Sequence, residues 1–218
     1  MRYVDPIISD RIKVVYPGVQ ITPERNRKTI SEKSIITYFG PFKKWRGVSQ
    51  LLLAFKRVVA KHPNTELVLA CPRSSSNQLN HFEKELQANI SPNIRVLGRV
   101  NDVLREILEP STLVCLPFIL AGVDPPLTIL EAMAARKPVI STKIQGISEF
   151  LMTDQTGLLT EPGNVDDLAG AMDKLLTNPE LGVTLGRNAR EQVRKFCDWT
   201  KITEEFDLVF QEATTYHK

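Results

Sequence analysis

The chain has 218 residues, of which 42% are hydrophobic and 24% are charged, and these values are typical of a globular protein with a substantial core. The formal net charge of +3 is too small to indicate a nucleic-acid partner, although it is compatible with a local cationic pocket for a small anion. The cysteines are Cys71, Cys115 and Cys197, far apart and without histidines in metal-ligand spacing, so we expect neither a disulfide framework nor a metal site.

The N-terminal stretch MRYVDPIISDRIKVV carries charges and is interrupted by Pro6, which does not fit a signal peptide. The sequence also contains no apolar run that approaches the length of a membrane span. These two features predict a cytoplasmic protein.

Short apolar or β-branched runs recur along the chain, and each is followed by a segment with helical spacing. The predicted strands begin, in chain order, at Ile12 (IKVVY), Ser34 (SIITYFG), Glu66 (ELVLAC), Ile94 (IRVLG), Thr112 (TLVCLP), Lys137 (KPVIST) and Thr156 (TGLLTEP). The predicted helices cover Val48 to Val59, a segment near Leu79 to Ala88, a segment capped by Asn101, and a segment starting at Pro126. From Val165 onward the chain is predicted to be helical, with Asn164 or Asp166 and Thr200 as candidate caps.

The predicted strands are apolar almost throughout, which favours parallel strands covered on both faces. We therefore predict an α/β fold: a doubly wound, Rossmann-like parallel sheet with a helical C-terminal tail. Residues 1–218 are expected to form one domain, with a core at about 12–180 and C-terminal helices at 181–218. Ligands of such sheets bind at the carboxyl ends of the strands.

The stretch GVDPPLTILEAMAARKPVIST contains the first candidate site. With Pro126 as the first helical residue, the amides of Leu127 and Thr128 would be free at the N-terminus of the helix. Together with the helix dipole and the Thr128 hydroxyl they would form an anion site, typically for phosphate. Glu131 lies one turn further on, where it could accept hydrogen bonds from ribose hydroxyls. The alternative is an ordinary helix start in which Glu131 only favours the dipole, and the motif alone leaves both open.

The stretch YFGPFKKWRGVSQLLLAF contains the second candidate site. Gly40 follows a strand and permits a tight turn, and the basic residues Lys43, Lys44 and Arg46 precede a helix at Gly47. Arg46 could hold a phosphate with two parallel hydrogen bonds. The alternative is a solvated basic loop that is covered by Trp45.

Two further features carry less weight. In KIQGISEF, Gly146 precedes Glu149 at another predicted helix start, which is more often a plain loop than a site. The histidines are His62, His81 and His217, and none has a carboxylate or cysteine partner at a spacing that indicates a catalytic triad or a metal site.

Taken together, these motifs resemble the nucleotide-sugar-binding half of a GT-B glycosyltransferase, in the retaining family known as family 4 or group 1. IKVVYPGVQ resembles the first strand and turn of that half, and YFGPFKKWRGVSQLLLAF resembles its glycine-rich phosphate loop. LEAMAARKPVISTKIQGISEFLMTDQTGLLTEP is similar to the most specific block of the family, almost position by position.

The resemblance implies a role for each matching residue. Glu131 would bind the ribose of a nucleoside diphosphate sugar, and the amides of Leu127 and Thr128 would hold its diphosphate. Arg46 stands where the family usually has a diphosphate-binding lysine, and it would stabilise the leaving diphosphate during catalysis. Glu131 would contribute to catalysis by holding the ribose in place. The other donor-binding positions that the resemblance implies are Gly40, Lys44, Gly98, Arg99, Val100 and Asp124, of which residues 98–100 would meet the base.

The sequence departs from the family pattern at three places, and in one of them Gln145-Gly146 replaces the glycine pair that precedes the helix with the family's next glutamate. Pro41 stands where a second phosphate-binding cation, an arginine, is expected, so one cation is missing unless Lys43 or Lys44 replaces it. Val123 stands where the family has a sugar-contacting glutamate, and Asp124 is the nearest acid.

The resemblance implies transfer of a sugar from a UDP- or GDP-sugar, without a required cofactor or metal, to a glycan, lipid or small-molecule acceptor. The acceptor-binding N-terminal domain that usually precedes this half is absent from this chain, so we expect poor turnover by the domain alone. The complete enzyme would be cytoplasmic or peripheral at the membrane. The alternative function is a non-catalytic nucleotide-sugar-binding or interaction module.

Overall fold

A computed structural model of the protein describes residues 13–21, 33–71, 87, 91–98, 100–120 and 125–215. Within these ranges six strands form one sheet, in which all neighbouring strands are parallel. The strands are β1 (Ser34–Phe39), β2 (Thr65–Ala70), β3 (Ile94–Leu97), β4 (Leu113–Cys115), β5 (Val139–Thr142) and β6 (Leu158–Thr160). Their order is β3-β2-β1-β4-β5-β6, so the predicted doubly wound sheet is confirmed.

Helices lie on both faces of this sheet. The described helices are α1 (Val48–Lys61), the short π-type helix α2 (Val103–Leu108), α3 (Leu127–Ala134), α4 (Ile147–Phe150), α5 (Val165–Thr177), α6 (Pro179–Phe196) and α7 (Trp199–Thr215). The bounds agree with the predicted alternation of strands and helices and with the predicted helical tail.

The central strands are apolar on both faces because both faces are covered. In β1 and β2, Ile36, Leu67 and Leu69 are fully buried. Helix α1 turns its apolar stripe to the same core, with Leu51 and Phe55 buried one turn apart. Truncation of a leucine in this core to alanine costs about 2–5 kcal/mol in comparable sites, so these contacts are a major part of what holds α1 on the sheet.

Three local predictions are wrong, each for a physical reason. The strand predicted at residues 12–16 lies partly outside the described residues, and its described part, residues 13–16, has no strand partner; the nearest bridge joins Val19 to Asp198 further along the chain. Asp102 caps α2 instead of Asn101, because its carboxylate accepts a hydrogen bond from the Arg105 amide.

The third wrong prediction is the Thr200 cap. Thr200 lies inside α7 and donates its own amide to Asp198 Oδ1. Asn164 does cap its helix, since its side chain accepts from the amides of Asp166 and Asp167. The helix predicted near Leu79 to Ala88 lies outside the described residues, apart from Gln87.

The order of the strands reverses between β1 and β4, and this reversal positions the candidate site. The chain leaves β1 toward β2 on one side and returns through β4 toward β5 on the other. The loop after β1 and the loop after β4 therefore leave the sheet side by side at its carboxyl edge. Such a switch point opens a crevice, which is where open α/β sheets bind their ligands.

The helical tail has a buried part and an exposed part. Leu185, Ala189 and Val193 of α6 belong to the main core, whereas Phe206 and Phe210 of α7 are exposed. The division of the chain at residue 180 stays a prediction. Among the described residues, no helix has the combined length and apolar character that a membrane crossing requires.

Candidate functional site

The loop after β1 is joined to the loop after β4 by main-chain contacts. Residues 44–46 form a 3-10 turn, and the carbonyl of Trp45 accepts hydrogen bonds from Ile119 N at 2.7 Å and Leu120 N at 3.2 Å. Gly47 has φ +71, and a side chain there would collide with the Pro117 carbonyl. The two loops therefore form one wall of the crevice.

Arg46 lies at the centre of this wall. Its guanidinium carbon is 5.2 Å from the ring centroid of Trp45 and 4.9 Å from that of Phe118. These distances are short enough for attraction between the cation and each ring. Gly40 has φ +129, and a Cβ at this position would collide with Arg46 Nη1, so the backbone here must lack a side chain.

Helix α3 begins one residue later than predicted. Pro126 has ψ 127°, which is extended, so it is the N-cap and Leu127 is the first helical residue. The Pro126 carbonyl accepts from Ile129 N at 2.9 Å. The amides of Leu127 and Thr128 lie in the first turn and have no acceptor within the helix, as the sequence predicts. The helix starts one residue later than predicted, and the Leu127 and Thr128 amides are free of helical acceptors in either case.

Arg46 and Thr128 share an unusual property. Among the described residues, the buried side-chain nitrogen and oxygen atoms without a hydrogen-bond partner are Arg46 Nε, Arg46 Nη1 and Thr128 Oγ1. Buried polar groups are nearly always paired, because an unpaired one costs about 1–3 kcal/mol. Two cationic N–H donors, one hydroxyl and two helix-end amides suit an anion with several oxygens.

Glu131 lies one turn along α3 from the Leu127 amide, in a cavity of ≈ 310 Å³. Leu104, Leu127 and Trp199 also line the cavity. Glu131 is exposed, and partial desolvation of its carboxylate by neighbouring atoms raises its pKa above the ordinary value of 4.5. The carboxylate can accept hydrogen bonds, while the apolar walls suit the flat face of a ring.

The other predicted site residues differ in how they are placed. Lys44 is exposed in the 3-10 turn, and Gly98 follows β3 with open space where a side chain would be. Val100 packs against the core. Arg99 and Asp124 lie outside the described residues, as does Val123. The binding roles of all these residues stay predictions.

Several contacts could not be found from local sequence. Phe118 supports Arg46 from the next strand, and Trp199 reaches the cavity from α7, where its ring packs on the backbone of Gly18. His62 Nε2 lies 2.7 Å from Asp173 Oδ1 although the two residues are far apart in sequence. His62 follows α1 at the opposite edge of the sheet, so this pair joins α1 to α5 and lies away from the crevice.

The predicted helix start at Gly146 is confirmed, since Gly146 has φ +80 and precedes α4. The pKa of Tyr16 is raised first by burial and second by the charge of the Glu149 carboxylate in this helix. In the part of the chain that the structure describes, no three carboxylate, histidine or cysteine side chains cluster as metal ligands.

A doubly wound parallel sheet with free helix-end amides and a carboxylate near its switch point is the architecture of the Rossmann-like class of α/β domains. The family profile described as "Glycosyl transferases group 1" matches residues 20–192. The chain therefore belongs to the group 1 glycosyltransferase family.

Similar proteins agree with this assignment. The capsular polysaccharide biosynthesis glycosyltransferase CapM of Staphylococcus aureus is 25% identical over 187 residues, which are 86% of this chain and 48% of that protein. The structure of the C-terminal domain of the group 1 protein LpcC from Francisella tularensis matches with a TM-score of 0.69 and 25% identity, over 82% of this chain and 97% of that one.

A third similar protein supports the fold alone. The structure of HepE from Anabaena in complex with UDP-glucose matches with a TM-score of 0.78 at 19% identity, over 93% of this chain and 57% of that one. The chain spans about half the length of the curated relatives that it matches. The expected likeness to the C-terminal half of a GT-B glycosyltransferase is confirmed.

Proposed function

We propose that this domain binds the nucleoside diphosphate sugar donor of a retaining glycosyltransferase. Arg46 and the amides of Leu127 and Thr128 hold the diphosphate, and Glu131 accepts hydrogen bonds from the ribose hydroxyls. One observation carries the proposal: the unpaired buried polar atoms in the described structure belong to Arg46 and Thr128, at the switch point of the sheet.

The proposed chemistry is the breaking of the bond between the sugar and the diphosphate, with transfer of the sugar to an acceptor hydroxyl. Negative charge develops on the leaving diphosphate as this bond breaks. Arg46 and the N-terminus of α3 are already oriented, so they stabilise this charge without reorganisation. Because the protein supplies the positive charge, the proposal requires no metal ion.

The remaining parts of the proposal concern the donor, the acceptor and the place of action. The HepE structure contains UDP-glucose, which favours a UDP-sugar as donor over a GDP-sugar. The acceptor is proposed to be a glycan, lipid or small molecule, bound by a second domain of the complete enzyme. That enzyme is proposed to act in the cytoplasm or at the membrane surface.

The donor site is tested by calorimetric titration of the domain with UDP. We expect Glu131→Ala to weaken binding about ten- to 100-fold, since it removes hydrogen bonds to a charged acceptor. Glu204→Ala, on the exposed surface of α7, is the matched control and should bind as the parent does. Equal affinity of parent and Glu131→Ala would show that the ribose assignment is wrong.

A second candidate function is a non-catalytic nucleotide-sugar-binding module. The observation that favours it is Pro41, whose carbonyl accepts a hydrogen bond from Tyr38 Oη at 2.9 Å and which offers no cation to a phosphate. The complete protein would then bind the donor sugar nucleotide but show neither transfer nor hydrolysis across a broad panel of acceptors. Measurable turnover by the complete protein would rule this candidate out.

A further inference from the structure

Trp45 is in contact with two cations of the loop after β1. Arg46 Cζ lies 5.2 Å from the ring centroid, and Lys43 Nζ lies 5.6 Å from it. Both distances fall within the range in which an indole attracts a cation, and indole is the strongest of the aromatic side chains in this respect. Lys44 stands between Lys43 and Trp45 in the sequence. It is exposed, and it contacts no comparable ring among the residues that the structure describes.

We propose that Trp45 is a positioning residue that brings Lys43 and Arg46 together as a two-cation clamp for a diphosphate. In this clamp Lys43 supplies the second positive charge, which Pro41 does not provide. The inference rests on the proposed nucleoside diphosphate site.

The surroundings of Trp45 fix the ring in this position. Its carbonyl is bonded to Ile119 N and Leu120 N, and its ring stacks on Phe118 with centroids 6.2 Å apart. Phe118 is itself anchored, because its carbonyl accepts a hydrogen bond of 2.6 Å from Thr142 Oγ1 in β5. Trp45 is therefore held by residues 118–120 after β4, which are themselves tied to β5, and its indole can orient mobile cations at little cost to itself.

Arg46 and Lys43 differ in what this support does for them. Arg46 contacts Trp45 and Phe118, and its Nε and Nη1 are buried without a partner, so it is preorganised. Lys43 is exposed and contacts Trp45 alone. A monophosphate needs one cation, whereas a diphosphate with two charged groups uses both. The clamp should therefore set the preference for a diphosphate over a monophosphate, and not only overall affinity.

The test is the ratio of the dissociation constants of UMP and UDP, measured by calorimetry. Trp45→Leu should lower this ratio roughly three- to tenfold, because the cations lose their support. Trp45→Phe, which retains a ring, should recover most of it. Lys43→Ala should lower the ratio more than Lys44→Ala does, and Phe210→Leu on exposed α7 is the control for loss of an aromatic ring.

The outcomes separate the two proposals. If the parent protein binds neither UMP nor UDP, the proposed donor site is wrong. If the parent prefers UDP and Trp45→Leu keeps that preference, or if Lys43→Ala and Lys44→Ala have equal effects, the clamp is wrong while the donor site stands. If Trp45 had a purely structural role, Trp45→Leu would weaken the binding of UMP and of UDP to the same degree. Should Trp45→Leu fail to fold, the comparison of the two lysine variants decides.

Discussion

Thr128→Val should change stability and binding in opposite directions. The variant keeps the shape of the side chain but removes Oγ1, which is buried and has no hydrogen-bond partner. An unpaired buried hydroxyl costs about 1–3 kcal/mol, so its removal should stabilise the ligand-free domain by about 1 kcal/mol after partial relaxation. The same hydroxyl would donate to a phosphate, and loss of a hydrogen bond to a charged group costs about 1.5–3 kcal/mol, or roughly ten- to 150-fold in affinity.

Urea unfolding of the ligand-free protein and calorimetry with UDP measure the two effects. A stability gain of 1 kcal/mol corresponds to a rise of about 2–4 °C in melting temperature for a domain of this size. Thr203→Val is the matched control on exposed α7, where Oγ1 is already bonded to the Trp199 and Thr200 carbonyls. Lower stability of Thr128→Val, together with unchanged UDP affinity, would refute the reasoning.

Three further predictions concern Glu131 and two glycines. The pKa of Glu131 is raised by partial desolvation, so the free energy of unfolding should fall as pH rises from the unfolded to the folded pKa of this group. UDP affinity, measured by calorimetry, should increase over the same pH window because the ionised carboxylate is the better acceptor. Glu131→Gln should lack that part of the pH profile. Gly40→Ala should destabilise the domain by about 1–3 kcal/mol and weaken UDP binding at least tenfold. The reason is that φ +129 is strained for alanine and that the new Cβ would displace Arg46. A variant with the melting temperature and affinity of the parent would contradict this. Gly18→Ala places a Cβ 2.5 Å from the Trp199 ring. The variant should therefore shift the indole fluorescence and lower the free energy of unfolding by about 1–3 kcal/mol. Unaltered fluorescence spectra and unfolding curves would show that the ring does not pack there.

The sheet and the helix start of the candidate site could be predicted because both depend on local signals. Continuous apolar runs indicate parallel strands, and Pro126 marks the start of α3 to within one residue. The same local argument indicates that the Leu127 and Thr128 amides are free. Such signals do not depend on which segments pack together.

The support of the site could not be predicted, because it depends on contacts between distant segments. Phe118 follows β4, yet it stacks with Trp45 from the loop after β1, and only the pairing of β1 with β4 brings them together. Trp199 lies in a tail that the sequence marks only as helical, and it reaches the Glu131 cavity through the packing of its ring on Gly18. The Asn101 and Thr200 caps were wrong because a nearby aspartate accepts the amide in each case, Asp102 for α2 and Asp198 for α7.

We infer above all that Arg46 and the start of α3 bind a diphosphate. NMR spectra of the backbone amides and of the arginine side chains, recorded during titration with UDP, test this binding directly. We expect saturable shifts of the Leu127 and Thr128 amides and of Arg46 Nε–H, which uridine alone does not produce. UDP binding that leaves these three signals unchanged, with shifts confined to other surfaces of the domain, would contradict the account.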